Sequence, residues 1–152
     1  MKLTKYTIEL DKNQINVLVK ESSTNYPEVS CLNRPSSVVQ VMNYLFHANK
    51  KAEEYLWVIA VNTKLKPIGF FELSHGTINS SLVTPRELFI RLALCGASGF
   101  FLVHNHPSGD CSPSKEDGQV TKRIKEAAKI MGYDFLDHII IGGDSFYSFK
   151  EN

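Results

Sequence analysis

The spacing of apolar and polar positions changes period along the chain, and each change marks an element. Tyr6, Ile8 and Leu10 alternate with Thr7 and Glu9; Ile15, Val17 and Val19 alternate with Asn16 and Leu18. With DKNQ between the two runs, residues 5–20 predict a β-hairpin. Residues 21–35 have no period and read as a connecting loop. From Pro35-Ser36-Ser37, Val38, Val41, Met42 and Leu45 recur at helical spacing, which predicts a helix to about Lys50. EEYLWVIAVN (53–62) is almost continuously apolar, as in a strand covered on both faces. PIGFFELS (67–74) predicts an antiparallel partner for it, and GTINSSLV is irregular.

Thr84-Pro85-Arg86-Glu87 predicts a helix start, with Thr at the N-cap, Pro at N1 and Glu at N3. Leu88, Leu92 and Cys95 form its apolar face, and Gly96 ends it. GFFLVHNH (99–106) predicts a strand. Ser114 caps a helix running through Met131, with Val120, Ile124, Ala127, Ala128 and Met131 on one face and Gly132 at its end. DFLDHIIIG (134–142) and DSFYSF (144–149) predict two last strands. The order β-β-α-β-β-α-β-α-β-β describes a mixed α/β (α+β) domain with a central sheet and helices on its faces.

Composition narrows the function. The 152 residues suffice for one domain with its own core. A net charge of +1, from 17 basic and 16 acidic residues, does not support direct nucleic-acid binding by charge. No apolar run approaches the ~20 residues of a membrane span, and the first residues lack a secretory apolar core. Cys31, Cys95 and Cys111 are odd in number and scattered, which fits a reducing, cytoplasmic setting.

The chemistry concentrates in HNHPSGDCSPSKED (104–117). Residues i and i+2 of a strand share a side, so His104 and His106 project together with Phe100 and Leu102. Asp117 lies in the first turn of the next helix, on the inward face with Val120 and Ile124. Turns at 107–109 and 112–113 bring that helix start back over the strand end. Two imidazoles and a carboxylate with an open fourth position suit a catalytic zinc ion. The same spacing also fits surface histidines at a strand end with an aspartate at a helix N-terminus. Spacing leaves both readings open.

H-N-H-P, six further residues, Ser114, two more and Asp117 resemble the JAB/MPN (JAMM) metallopeptidase motif. More narrowly, residues 54–149 resemble the RadC-like JAB domain, through GTINSSLVTPRELF (76–89), HNHPSG (104–109) and LDHIIIG (136–142). Longer members carry an N-terminal helix-hairpin-helix region; no such pattern is visible here, so the chain resembles the short forms. The resemblance implies a JAB/MPN-like (cytidine-deaminase-like) mixed sheet flanked by helices. Residues 1–35 would then be a hairpin and loop extension, and 36–152 the JAB domain as a single unit. It implies one Zn²⁺ per chain, with a bound water, held by His104, His106 and Asp117, and a glutamate general base that falls on Glu54. Glu53 is its neighbour and Glu72 its rival. Ser114 would stabilise the oxyanion, although it is equally a good N-cap.

The implied activity is hydrolysis of a peptide or isopeptide bond in a peptide or protein substrate. The alternative is a RadC-like protein tied to DNA repair or mobile elements, whose metal-bearing domain is an interaction module without protease activity. The hairpin is a candidate homodimer contact, because an edge strand invites pairing.

Asp137 and His138 face opposite sides of their strand. His138 reads as a core histidine with a satisfied ring, or else as a partner of the ligands. The family often has proline at the position of Cys111. That thiol reads as a turn residue ahead of a fourth ligand or an oxidation-sensitive switch. Arg86 and Glu87 are explained by capping and an ion pair. His47 and His75 have no ligand spacing, and Trp57 with Tyr55 reads as core.

Overall fold

The protein was analysed as a computed structural model, which describes residues 1–76 and 83–152. Its centre is one seven-stranded sheet. The strands are β1 (Lys2–Leu10), β2 (Asn16–Asn25), β3 (Tyr55–Val61), β4 (Pro67–His75), β5 (Gly99–Asn105), β6 (Asp134–Gly142) and β7 (Ser145–Ser148). The spatial order is β2-β1-β4-β3-β5-β6-β7. β5 and β6 run parallel, as do β1 and β4 at Lys5 and Phe70; the other neighbours are antiparallel.

Helix α1 (Pro35–Phe46) covers one face of the sheet, and α2 (Pro85–Cys95) and α3 (Lys115–Met131) cover the other. Period-2 alternation divides the core between the faces. Trp57, Ile59, Phe70, Phe101, Val103, Ile139 and Ile141 pack with Val38, Val41 and Met42 of α1. Leu56, Val58, Phe71, Phe100 and Leu102 pack with Leu88 and Leu92 of α2 and Val120 and Ile124 of α3. β3 and β5 sit at the middle of the sheet with helices on both faces, which is why their sequences are apolar throughout. Trp57 is wholly buried, with the Tyr55 ring stacked on it at 5.3 Å, as the core reading expects.

Several boundaries differ from the sequence reading. β2 runs on to Asn25 instead of ending near Lys20, because Ser22, Ser23 and Thr24 pair with Lys5, Thr4 and Leu3 of β1. β2 is an edge strand with little burial, so its second half carries no apolar period. α1 stops at Phe46: His47 takes a left-handed φ of 53° and a 3-10 turn spans Ala48–Lys50. At α2, Thr84 caps without a side-chain hydrogen bond. The expected partner Glu87 is instead held by Arg86 Nη1 at 2.5 Å and Arg91 Nη1 at 3.7 Å. Of the irregular GTINSSLV stretch, residues 77–82 lie outside the described residues.

Candidate metal centre

The C-terminal end of β5 meets the N-terminal end of α3, and three side chains converge there. The His104 and His106 Nε2 atoms are 3.0 Å apart. Asp117 brings Oδ1 to 3.1 Å from His104 Nε2 and Oδ2 to 3.4 Å from His106 Nε2. Ligands about 2.0–2.1 Å from a tetrahedral zinc lie roughly 3.3 Å from one another. Each imidazole has one Asp117 oxygen at nearly that separation, so the group could hold a metal ion, and the donor types suit zinc. His104 and Asp117 are buried and His106 is half-buried, which leaves one open side. Among the described residues, no cysteine joins this group, Cys111 included.

Local chemistry builds each arm. His106 lies one residue past β5, and its N–H donates to the Ile141 carbonyl at 2.8 Å, so the chain still tracks β6. The loop then turns through Gly109, whose φ of 84° favours glycine. His106 Nδ1 lies 2.7 Å from the Asp110 carbonyl oxygen. A carbonyl only accepts, so Nδ1 carries the proton and Nε2 faces the cluster. On α3, Ser114 and Asp117 form a capping box. Asp117 Oδ2 accepts from the Ser114 N–H and hydroxyl, both at 2.7 Å, and the Asp117 N–H donates back to Ser114 Oγ at 3.1 Å. The N-cap reading of Ser114 therefore holds, and the candidate ligand Asp117 is part of the same capping box.

Glu54 immediately precedes β3, half-buried. It lines a cleft with Glu53, Gly76, Pro107 and Ser108. Glu53 is exposed, with its carbonyl facing Asn105. Glu72 lies elsewhere: it is exposed, pairs with His75 Nδ1 at 2.8 Å, and lines a separate cleft with Lys5, His47 and Lys51.

Comparison with known proteins places this geometry. The family model described as the RadC-like JAB domain matches residues 32–152. The chain belongs to the RadC-like JAB domain family. A UPF0758 protein of Alkaliphilus metalliredigens is 48% identical over 99 residues, covering 65% of this chain and 43% of that protein. Others are 47% identical in Clostridium acetobutylicum, over 73% of this chain and 47% of the relative, and 42% identical in Thermotoga maritima, over 76% and 52%. The chain thus spans about half the length of these curated relatives.

The RadC-like site carries opposed charges at close range. Burial pushes the Asp117 carboxyl up, but the His104 and His106 imidazoles beside it outweigh that and hold it well below the usual carboxylate range. The hydrogen bond to Asp117 raises His106; burial opposes it, and the Asp110 carbonyl and the Glu54 charge add to the rise. Burial, then repulsion from His104, holds His138 well below the ordinary imidazole range, so its ring is neutral.

Three further residues shape the site of this RadC-like domain, and the motif spacing does not announce them. Asn105 separates the histidines and points to the opposite face. Its Oδ1 accepts from the Tyr55 N–H at 2.9 Å and its Nδ2 donates to the Glu53 carbonyl at 3.0 Å. One buried side chain thus holds both peptide groups flanking Glu54. The buried polar residue amid an apolar strand was the available signal. His138 is placed with the ligands: its Nε2 lies 2.8 Å from His104 Nδ1, while Asp137 faces away to Ser148 and Lys150. The ring is buried and satisfied, by the candidate ligand His104 on one side and Thr121 on the other.

The third is Gly142. A Cβ there would lie 2.6 Å from the Cys111 nitrogen and 2.7 Å from the Gly109 carbonyl oxygen. The loop between the ligands rests directly on this glycine. Gly142→Ala is expected to push that loop off β6 and to cost about 1–3 kcal/mol of overpacking. A fall in the denaturant midpoint without a change in slope measures it; an unchanged midpoint would show that the loop gives way freely.

Proposed function

We propose that this RadC-like domain is a zinc-dependent metallohydrolase that cleaves a peptide or isopeptide bond in a peptide or protein substrate. The observation that carries the reading is the convergence of donor atoms from His104, His106 and Asp117 within 4.8 Å of one another. The JAB/MPN superfamily to which the domain belongs includes metallopeptidases.

His104, His106 and Asp117 would hold the ion. When bound, zinc supplies a water ionisable near neutral pH and polarises the scissile carbonyl. Glu54, held outside the ligand set, accepts the proton of the attacking water and returns it to the leaving amine nitrogen. Ser114 Oγ donates to Asp117 Oδ2 in the structure. A carboxylate turned toward a cation accepts that bond less strongly, which frees the hydroxyl to donate to the carbonyl oxygen as negative charge develops there. Asn105 keeps the Glu54 backbone in register with the two histidines on either side of it.

A cytoplasmic setting is part of the same proposal. The three cysteines are unpaired, and among the described residues no helix is long and apolar enough to cross a membrane.

The test is elemental analysis of the purified chain, followed by incubation with peptide and isopeptide-linked substrates with and without a chelator. About one zinc per chain and chelator-sensitive cleavage are expected. A chain that takes up no zinc at neutral pH contradicts the proposal. A zinc-loaded chain that cuts nothing favours the interaction-module reading.

A further inference from the structure

His104 reaches the metal cluster through Nε2, so its other nitrogen decides whether that lone pair is available. His104 Nδ1 lies 2.8 Å from His138 Nε2. Two ring nitrogens at that distance share one proton, and distance alone does not say whose it is. The rest of the chain of contacts does. His138 Nδ1 lies 2.6 Å from Thr121 Oγ1, which in turn lies 2.7 Å from the backbone carbonyl oxygen of Asp117. The carbonyl can only accept, and threonine has one hydroxyl hydrogen, so Thr121 donates to Asp117. Its oxygen then accepts from His138, which places the His138 proton on Nδ1. A second proton would leave a buried cation between a hydroxyl and an imidazole with no carboxylate on the ring, so Nε2 is bare and accepts from His104 Nδ1–H.

We propose that Thr121 and His138 form a directional hydrogen-bond relay that fixes His104 with its proton on Nδ1 and Nε2 turned to the metal cluster. The relay starts and ends on ligands: it leaves the ring of His104 on β5, crosses His138 on β6 and Thr121 on α3, and closes on the backbone of Asp117. It therefore ties the two arms of the site together through the intervening strand. Phe149 stacks on His138 at 5.0 Å with the rings 8° from parallel, which holds the ring plane in which both hydrogen bonds lie. His138 is 1% exposed and Thr121 9%, so both partners are buried. His138 and Thr121 are positioning residues. A hydrogen-bond partner behind a metal-ligating histidine typically changes metal affinity by roughly 10–100-fold when lost.

The consequence for affinity rests on the zinc reading above; the proton placement does not. The full chain, uniformly ¹⁵N-labelled, is examined by long-range ¹H–¹⁵N NMR without metal. The expected spectrum shows His138 as the neutral Nδ1–H tautomer and His104 protonated at Nδ1. A His138 proton on Nε2 overturns the relay.

Zinc affinity is then measured by chelator competition for the wild type, Thr121→Val and Thr121→Ser. Thr121→Val keeps the side-chain shape but removes the hydroxyl, and a roughly 10–100-fold weaker Kd is expected. Thr121→Ser restores the hydroxyl and most of the affinity, an effect that simple core filling by Thr121 does not predict. Equal affinity of Thr121→Val and wild type overturns the positioning role. Should Thr121→Val fail to fold, the wild-type spectrum still decides the relay. A wild type that binds no zinc while showing the assigned tautomers sinks the metallohydrolase reading and leaves the relay standing.

Discussion

Exchange of His104 for alanine is expected to empty the site: zinc content should fall from about one ion per chain to near zero by elemental analysis. His104 is the deepest of the three donors and the one through which Asp117 and the His138 side are joined. An open site has only three protein ligands, so the loss of one leaves two. The same change should abolish zinc-dependent stabilisation. At free zinc about 1,000 times Kd, binding contributes roughly 4 kcal/mol. For a chain of this size that corresponds to an increase in Tm of the order of 10 °C. The wild type should show it by calorimetry, and His104→Ala should not.

The pH dependence of the metal-free and zinc-bound forms should run in opposite directions. Asp117 is depressed in the folded chain, so its contribution is present above the ordinary carboxylate pKa and lost as pH falls through the folded value. His106 is raised, so its contribution is complete below the ordinary imidazole pKa and lost as pH rises through the folded value. Without metal, the ion pair therefore stabilises the fold most between about pH 4 and 6.5. A zinc ion takes the place of the proton on His106, so its contribution grows as pH rises through that range. Equal zinc stabilisation of the wild type at pH 5 and pH 7.5 would mean that the imidazoles do not hold the ion.

What the sequence made legible follows from what periodicity records. Apolar alternation reports burial, so β3, β5 and the inward face of α3 could be read directly, since each is packed against the core. The pairing of His104 with His106 follows from strand geometry, and Asp117 from the helix face it shares with Val120. The second half of β2 was hidden because ladder hydrogen bonds hold an edge strand without burying it. Asn105 was hidden for another reason. Its partners are residues 53 and 55, some fifty positions upstream, and hydrogen bonds between β5 and the approach to β3 leave no local pattern. His138 could be placed on the correct strand, but its partner His104 lies on a neighbouring one. The Glu54 assignment came from the family resemblance, since a lone glutamate at a strand end carries no spacing signal of its own.

Glu54→Gln should separate chemistry from metal binding. Glutamine keeps the length and much of the hydrogen-bonding capacity of the side chain but cannot take a proton from water. Loss of a general base lowers the rate by roughly 10²- to 10⁴-fold. The ligand set is untouched, so zinc content and the zinc-dependent Tm increase should remain at wild-type values. The neighbours serve as controls. Glu53 is exposed and Glu72 is paired with His75 in a different cleft, so Glu53→Gln and Glu72→Gln should each retain most of the activity. Full cleavage by Glu54→Gln, or loss of cleavage in Glu53→Gln alone, would move the base off Glu54. Glu53 is exposed and Glu54 half-buried, and Asn105 holds the backbone on both sides of Glu54. By holding the Glu53 carbonyl and the Tyr55 N–H, it fixes the peptide planes on both sides of Glu54. The residue between the two histidines thus carries the link from the metal ligands to the proposed base.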